Sequence, residues 1–132
     1  LLKQCREMAA DDPKVIVRGP VPTVDPYLKA ADYFVSASQS EGLPMAVLEA
    51  ISSGLPVCLS RIAPHEEILE YDPNAGTTFD VGSPKSVARS LENLSSASYR
   101  KQSQAARGIA ENHLSATKMS SSYQELYCTS QK

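Results

Sequence analysis

Short runs of β-branched and aromatic residues alternate with helix-start signals along this chain, and this alternation constrains the fold more than any other feature. The runs at residues 15–17, 33–35, 56–59 and 78–79 predict β-strands. Helices are predicted over residues 25–31, 44–53 and 63–69 and from Pro84 onward, because a proline stands in the first turn of each. Strands separated by helices imply right-handed βαβ units. We therefore expect an α/β fold with an open parallel sheet flanked by helices.

The composition predicts a single soluble domain. Of the 132 residues, 42% are apolar and 21% are charged, which is ordinary for a globular protein. The net charge is -2 and the Lys and Arg residues are scattered, so nucleic acid is not an expected partner. No apolar run approaches the roughly 20 residues that span a bilayer, and the N-terminus becomes polar too soon for a signal peptide.

The cysteines favour a reducing compartment. Cys5, Cys58 and Cys128 lie far apart without a Cys-x-x-Cys pair, which indicates neither a disulfide framework nor a zinc site. The cytoplasm is therefore the expected location. Because the chain begins at Leu1 inside a predicted helix, we also expect it to be part of a longer protein.

The loop at residues 36–43 is the longest that follows a predicted strand and leads into a predicted helix. Ligands of open parallel sheets bind at this edge. Pro44 has no amide hydrogen, but the amides of Met45 and Ala46 are expected to be unpaired at the helix N-terminus, where the helix dipole favours an anion such as a diphosphate. Gly42 leaves space for a phosphate or sugar beside the backbone.

Two glutamates border this anion site. Glu41 stands just before it, and Glu49 lies well inside the following helix. A ligand with its phosphates at the helix N-terminus would reach Glu49 with its ribose, so the pair indicates a nucleotide-sized ligand. Taken alone, both glutamates would more often be solvated surface residues, and Gly42 could serve only a turn.

The longer string around both glutamates carries a family resemblance. Residues 38–57 read Ser-x-x-Glu-Gly-Leu-Pro-x-x-x-Leu-Glu-Ala-x-x-x-Gly-x-Pro-Val, which resembles the donor-site signature of the glycosyltransferase family 4 group. The similarity continues through residues 60–68, 74–76 and 81–84, Ser115, Tyr123 and Tyr127. It implies the Rossmann-like C-terminal half-domain of a GT-B glycosyltransferase. Such an enzyme transfers a sugar from a nucleoside diphosphate with retention of configuration and without a bound metal.

The resemblance also implies roles for the matched residues. Glu41 would be the catalytic residue that holds the donor sugar at the reacting centre, and Glu49 would accept hydrogen bonds from the ribose. The other donor-binding positions would be Ser38, Gly42, Leu43, Met45 and Ala46. The residues resembling the loop beside the nucleobase are Gly19, Pro20 and Val21. No cofactor is implied, because the nucleotide sugar is a substrate.

Some parts of such a domain have no match in this chain. The family's first two strands, which bring an arginine and a lysine to the diphosphate, are missing, and neither Arg18 nor Arg61 matches those positions. Residues 1–132 are thus expected to be a partial donor-binding domain, without the N-terminal acceptor domain. The missing strands would lie between strands 15–17 and 33–35. We expect these two strands to pair directly, to exchange in a strand-swapped dimer, or to belong to a larger chain.

The full-length parent would act on a saccharide or lipid-linked acceptor in polysaccharide or glycolipid synthesis. Peripheral association with the inner face of the membrane is compatible with that acceptor, and the isolated fragment is expected to be inactive. An alternative is a module that binds a nucleotide or nucleotide sugar without transferring anything, which the missing cations favour. A weaker alternative is a flavodoxin-like regulatory domain, whose acidic residues would cluster at the strand ends, a clustering that this sequence does not indicate.

Other residues receive structural interpretations. We interpret His65 as a helix cap or surface residue, because His65-Glu66-Glu67 lacks the second histidine of a zinc helix. Cys58 is interpreted as a small core residue. On the last helix, an exposed apolar patch is expected at Tyr123, Leu126 and Tyr127.

Overall fold

The computed structural model describes residues 2–10 and 12–129. This part of the chain contains seven α-helices and three β-strands. In chain order they are α1 (Leu2–Ala9), α2 (Asp25–Ala30), β1 (Phe34–Ser36), α3 (Met45–Ser52), β2 (Val57–Ser60), α4 (Ala63–Glu70), β3 (Gly76–Phe79), α5 (Pro84–Ser96), α6 (Tyr99–Asn112) and α7 (Ala116–Thr129), with a short 3-10 turn at Pro73–Ala75. None of these helices is long and apolar enough to cross a membrane.

The strands form one parallel sheet in the order β1-β2-β3. Val57 at the start of β2 is opposite Phe34 of β1 and Gly76 of β3, so all three strands end at the same edge. Helices α3 and α4 make the two crossovers, as expected for βαβ units. The predicted α/β class and Rossmann-like parallel sheet flanked by helices are confirmed.

Side chains of β2 alternate between two apolar layers. Val57 and Leu59 join the larger core, in which Ile51 of α3 and Ile109 of α6 are almost completely buried. Cys58 points to the opposite layer. It packs there with two further buried residues, Phe79 and Leu94. Burial on both faces explains why the central strand reads as a continuous apolar run.

A glycine sets the spacing between β2 and β3. A Cβ atom on Gly76 would overlap the carbonyl oxygen and the Cγ2 of Val57. The close approach therefore requires the absence of a side chain, although the backbone of Gly76, with φ near -179°, is ordinary extended chain.

Most predicted element boundaries lie within about two residues of the observed ones, the usual uncertainty of helix ends. The predicted start of α5 is confirmed in detail, since Ser83 caps the helix by accepting a hydrogen bond from the amide of Ser86 at 3.3 Å. The expected exposure of the apolar side chains on α7 is also confirmed, at Tyr123, Leu126 and Tyr127.

The predicted strand at residues 15–17 is wrong. This segment has no regular structure, and Val15 and Ile16 are exposed to 51% and 70%. The amide of Val15 instead donates to the carbonyl of Asp12 in a turn, at 3.0 Å. A β-branched run without a neighbouring strand has no partner for its backbone groups and stays outside the sheet. Direct pairing with β1 is thereby contradicted as well.

Candidate functional site

The carboxyl edge of the sheet gathers most of the predicted donor-site residues. Strands β1 and β2 end at Ser36 and Ser60. The loop between β1 and α3, at residues 37–44 and hereafter called the donor loop, leaves the sheet at this edge. The connection from β3 to α5 begins beside it, with Asp80. This is the edge at which α/β proteins bind their ligands.

A chain of hydrogen bonds runs through the donor loop. The Ser38 hydroxyl donates to Oε1 of Glu41 at 2.6 Å. The carbonyl oxygen of Ser38 accepts a hydrogen bond from the Ser60 hydroxyl, also at 2.6 Å. The Glu41 carboxylate is thus held on an exposed loop whose backbone is fastened to the end of the central strand.

The N-terminus of α3 differs from the expectation at one amide. Pro44 adopts φ -78° and ψ 72°, the geometry of an inverse γ-turn, and the Met45 amide donates to the carbonyl of Leu43 at 2.8 Å. The expectation that the Met45 amide is unpaired is therefore wrong. Within the described part of the chain the Ala46 amide has no acceptor, because it lies in the first turn of α3, whereas the amides of Val47 and Leu48 donate to the carbonyl of Pro44.

The surface around this helix start is open. A Cβ atom on Gly42 would meet nothing within 4 Å, so the backbone there is accessible to a ligand. The neighbouring apolar side chains of Leu43 and Met45 are exposed to 65% and 54%. Apolar side chains held at a surface beside a free amide suit the contact of a ligand that is partly apolar and partly charged.

Glu49 borders a groove of about 580 Å³ between α2, α3 and α6. The other lining residues are Thr23, Val24, Asp25, Leu28, Lys29, Ser52, Ser53 and Arg107. The nucleobase residues predicted from the sequence, Gly19, Pro20 and Val21, are not in this lining. Gly19 faces α1 instead, where Leu2 and Arg6 are its nearest neighbours. The chain reaches the groove a few residues later, at Thr23 and Val24.

A cluster of charges lies at the ends of β2 and β3. The Arg61 guanidinium contacts Asp80 through Nε at 3.0 Å and Glu66 through Nη1 at 3.4 Å. Hydrogen bonding to Asp80 is the main reason why the pKa of Arg61 is raised. Two carboxylates therefore hold the cation nearest to the end of β2. Among the described residues, no group of three or more His, Cys, Asp or Glu side chains could hold a metal ion.

His65 has a different place from the one expected. It is completely buried, and its Nδ1 lies 2.9 Å from the Ser60 carbonyl oxygen and 3.2 Å from the Ser60 hydroxyl. The surface or cap interpretation is wrong, because α4 buries His65 on the same face as Ile68 and Leu69. This spacing of three and four residues is visible in the sequence and was the signal for burial. Cys58 is buried as predicted, and burial raises the pKa of its thiol.

This chain is similar to known proteins. A family model described as "Glycosyl transferases group 1" matches residues 2–97. A curated relative from Escherichia coli, UDP-Gal:alpha-D-GlcNAc-diphosphoundecaprenol alpha-1,3-galactosyltransferase, is 49% identical over 45 residues. That stretch covers 34% of this chain and only 11% of the relative.

Proposed function

Because this chain belongs to the group 1 glycosyltransferases, we propose that it forms the donor-binding wall of a retaining, metal-independent GT-B enzyme. A nucleoside diphosphate sugar binds with its sugar at the donor loop, its diphosphate at the N-terminus of α3 and its nucleoside at the Glu49 groove. The acceptor is held by a domain that lies outside this sequence.

The observation that carries the proposal is the combination of one carboxylate and one free amide at the carboxyl edge of the sheet. The Glu41 carboxylate is fixed by Ser38 at 2.6 Å, and the unpaired Ala46 amide lies five residues further along the chain. A carboxylate suits sugar hydroxyls, which donate hydrogen bonds, whereas an amide and a helix N-terminus suit phosphate oxygens. The two groups therefore match the two ends of a sugar diphosphate.

The chemistry needs stabilisation of charge on the leaving group. When the bond between the sugar and the diphosphate breaks, negative charge develops on the phosphate oxygens. The Ala46 amide and the dipole of α3 favour that charge, the dipole by about 0.3–1 kcal/mol at an exposed position. Glu41 orients the sugar through its hydroxyls and provides a negative charge near the cationic reacting centre.

The groove beside Glu49 suits the nucleoside. Its volume of about 580 Å³ falls in the ordinary range of small-molecule sites. The exposed Glu49 carboxylate can accept two hydrogen bonds from neighbouring ribose hydroxyls. Since Glu49 lies on the helix whose N-terminus would take the diphosphate, one nucleotide can engage both features.

The similar Escherichia coli protein provides a starting choice of substrates. Its name specifies UDP-Gal as donor and a diphosphoundecaprenol-linked sugar as acceptor. For this chain we propose a UDP-hexose donor and, in the full-length protein, a lipid-linked saccharide acceptor in polysaccharide synthesis at the cytoplasmic face of a membrane.

Isothermal titration calorimetry of the chain with UDP, GDP and UDP-galactose tests the proposal. We expect Glu49→Ala to weaken UDP binding at least tenfold, because hydrogen bonds to a charged group contribute about 1.5–3 kcal/mol. Glu92→Ala is the matched control, since Glu92 is an exposed glutamate on α5, outside the groove lining. Absence of binding to all three nucleotides at millimolar concentration would reject the proposal for this chain.

A second candidate is a module that binds a nucleotide sugar without transferring it. The observation in its favour is that Arg61, which directly follows β2, is engaged by the carboxylates of Asp80 and Glu66. An assay of sugar transfer by the full-length protein separates the two candidates. Transfer that is lost in Glu41→Gln while UDP binding persists supports the enzyme, and binding without any transfer supports the module.

A further inference from the structure

Two buried polar side chains lie directly behind the donor loop. Ser60 and His65 are both completely buried, at the end of β2 and in the first turn of α4. The Ser60 hydroxyl reaches the carbonyl oxygen of Ser38 across 22 positions of sequence. It is therefore a tether between the donor loop and the central strand.

The direction of each hydrogen bond follows from the available hydrogens. The Ser60 carbonyl oxygen can only accept, so His65 Nδ1, at 2.9 Å, must carry a hydrogen. The single hydroxyl hydrogen of Ser60 is used on the Ser38 carbonyl at 2.6 Å. At 3.2 Å the Ser60 hydroxyl oxygen can therefore only accept from the same His65 N–H. The donors run from His65 to Ser60 and from Ser60 to Ser38.

The other nitrogen of His65 makes this arrangement costly. Nε2 is buried and has no hydrogen-bond partner among the described residues. A buried polar atom without a partner costs about 1–3 kcal/mol, and a leucine on this apolar face of α4 would avoid the cost. Stability alone does not account for a histidine here, whereas the hydrogen bond from Nδ1 to Ser60 does.

We propose that Ser60 and His65 are positioning residues for Glu41, an inference that rests on the proposed function of the donor loop. Ser38 is the connecting residue, because its carbonyl is held by Ser60 and its hydroxyl holds the Glu41 carboxylate at 2.6 Å. His65 fixes the rotamer of Ser60, Ser60 fixes the backbone at Ser38, and Ser38 fixes Glu41. Loss of the tether removes the hydrogen bond that fastens the loop carrying Glu41 to β2.

The first test measures the loop without any ligand. Nitrogen-15 relaxation of the chain gives backbone order parameters for residues 38–43. We expect values of about 0.85 in the wild type and below about 0.6 in Ser60→Ala. Ser90→Ala is the matched control, because Ser90 is also a buried serine whose hydroxyl donates to a carbonyl, that of Thr78 on β3, at 2.9 Å. Unchanged order parameters in Ser60→Ala would overturn the proposal.

The second test uses the full-length protein with UDP-galactose. A positioning role predicts that Ser60→Ala lowers kcat about tenfold and changes KM less than twofold, because misorientation acts on the transition state. His65→Leu should act in the same way, whereas His65→Asn should restore kcat, since its side-chain amide can place a donor near the position of Nδ1. Equal kcat in Ser60→Ala and the wild type would overturn the positioning of Glu41.

The two tests separate this inference from the proposed function. A wild-type protein that transfers no sugar, together with a loop that loosens in Ser60→Ala, would reject the proposed function and retain the tether. A wild-type protein that transfers sugar, together with a loop that stays rigid in Ser60→Ala, would retain the proposed function and reject the tether. If His65→Leu fails to fold, His65→Asn and Ser60→Ala still decide the matter.

Discussion

Two short apolar runs in this chain adopt different structures. Residues 15–17, Val-Ile-Val, lie in an irregular segment in which Ile16 is 70% exposed. Residues 57–59, Val-Cys-Leu, belong to the central strand β2 and are completely buried. Intrinsic β-propensity does not separate them, because Val-Ile-Val is the more β-prone of the two sequences.

The difference lies in the neighbours. Strand β2 has β1 on one side and β3 on the other, so its backbone groups are paired, and helices cover both of its faces. Residues 15–17 have no strand beside them in the described chain. Strand formation thus depends on pairing with a neighbouring strand and not on the segment alone. An extended segment gains little stability until its amides and carbonyls have hydrogen-bond partners.

The largest expected effect is on the reaction rates of the cysteine thiols. Cys58 lies in β2 and therefore reports on the protection of that strand. Cys5 and Cys128 are exposed. Burial raises the pKa of the Cys58 thiol, which lowers the fraction of reactive thiolate at any given pH. At pH 8 we expect Cys58 to react with dithionitrobenzoate at least about a thousandfold more slowly than the other two, at a rate limited by opening of the sheet.

Counting the released thionitrobenzoate during the reaction checks this prediction. Two thiols should react at once, and the third should follow slowly or after addition of urea. The pH dependence has a defined sign, because the folded chain binds the Cys58 proton more tightly than the unfolded chain does. Stability therefore falls as the pH rises above the ordinary thiol pKa. Immediate release of three equivalents would show that β2 is not the protected strand.

The next effect is on stability and compares the two runs directly. Leu59→Ala should lower the free energy of unfolding by about 2–5 kcal/mol, because Leu59 is completely buried and its removal leaves a cavity. Ile16→Ala should change it by no more than about 0.5 kcal/mol, since the side chain is largely in solvent. Urea titrations followed by circular dichroism measure both values. Similar losses in the two variants would contradict the contrast between the runs.

The smallest expected effect compares two glycines, one packed against β2 and one on the open donor loop. Gly76→Ala should cost about 1–3 kcal/mol, because the added methyl overlaps Val57 in β2. Gly42→Ala should leave the stability within about 1 kcal/mol, since nothing lies within 4 Å of the new Cβ. If a sugar or phosphate approaches the donor loop as proposed, Gly42→Ala should still weaken UDP-galactose binding about tenfold by calorimetry. Unchanged affinity would move the ligand away from Gly42.

Local signals in the sequence predicted most of the helices. Helix α5 starts at Pro84 with Ser83 as its cap, and Gly54 lies just beyond the end of α3. Such start and stop signals affect only the neighbouring few residues, so they can be identified without tertiary information. The hydrogen bond between Ser38 and Glu41 also joins residues only three apart. The sequence placed both residues on one loop at the carboxyl edge of the sheet, where the structure has them.

The errors arise where the geometry depends on partners or on one dihedral angle. The ψ angle of Pro44, near 72°, turns the Met45 amide back to Leu43, and a proline fixes only φ. The burial of His65 was not predicted because histidine is usually treated as a polar residue. Its spacing from Ile68 and Leu69, which lie on the same helix face, indicates burial.

By itself, the sequence determined the α/β class, the helix boundaries, the family and the loop that carries Glu41, because propensities, caps and motifs act over short stretches of chain. Only the tertiary structure decided that residues 15–17 stay outside the sheet and that Ser60 and His65 stand behind Glu41. The first outcome depends on the lack of a neighbouring strand, and the second depends on the parallel register of β1 and β2. That register brings the ends of β1 and β2 side by side, and no short segment of sequence specifies it.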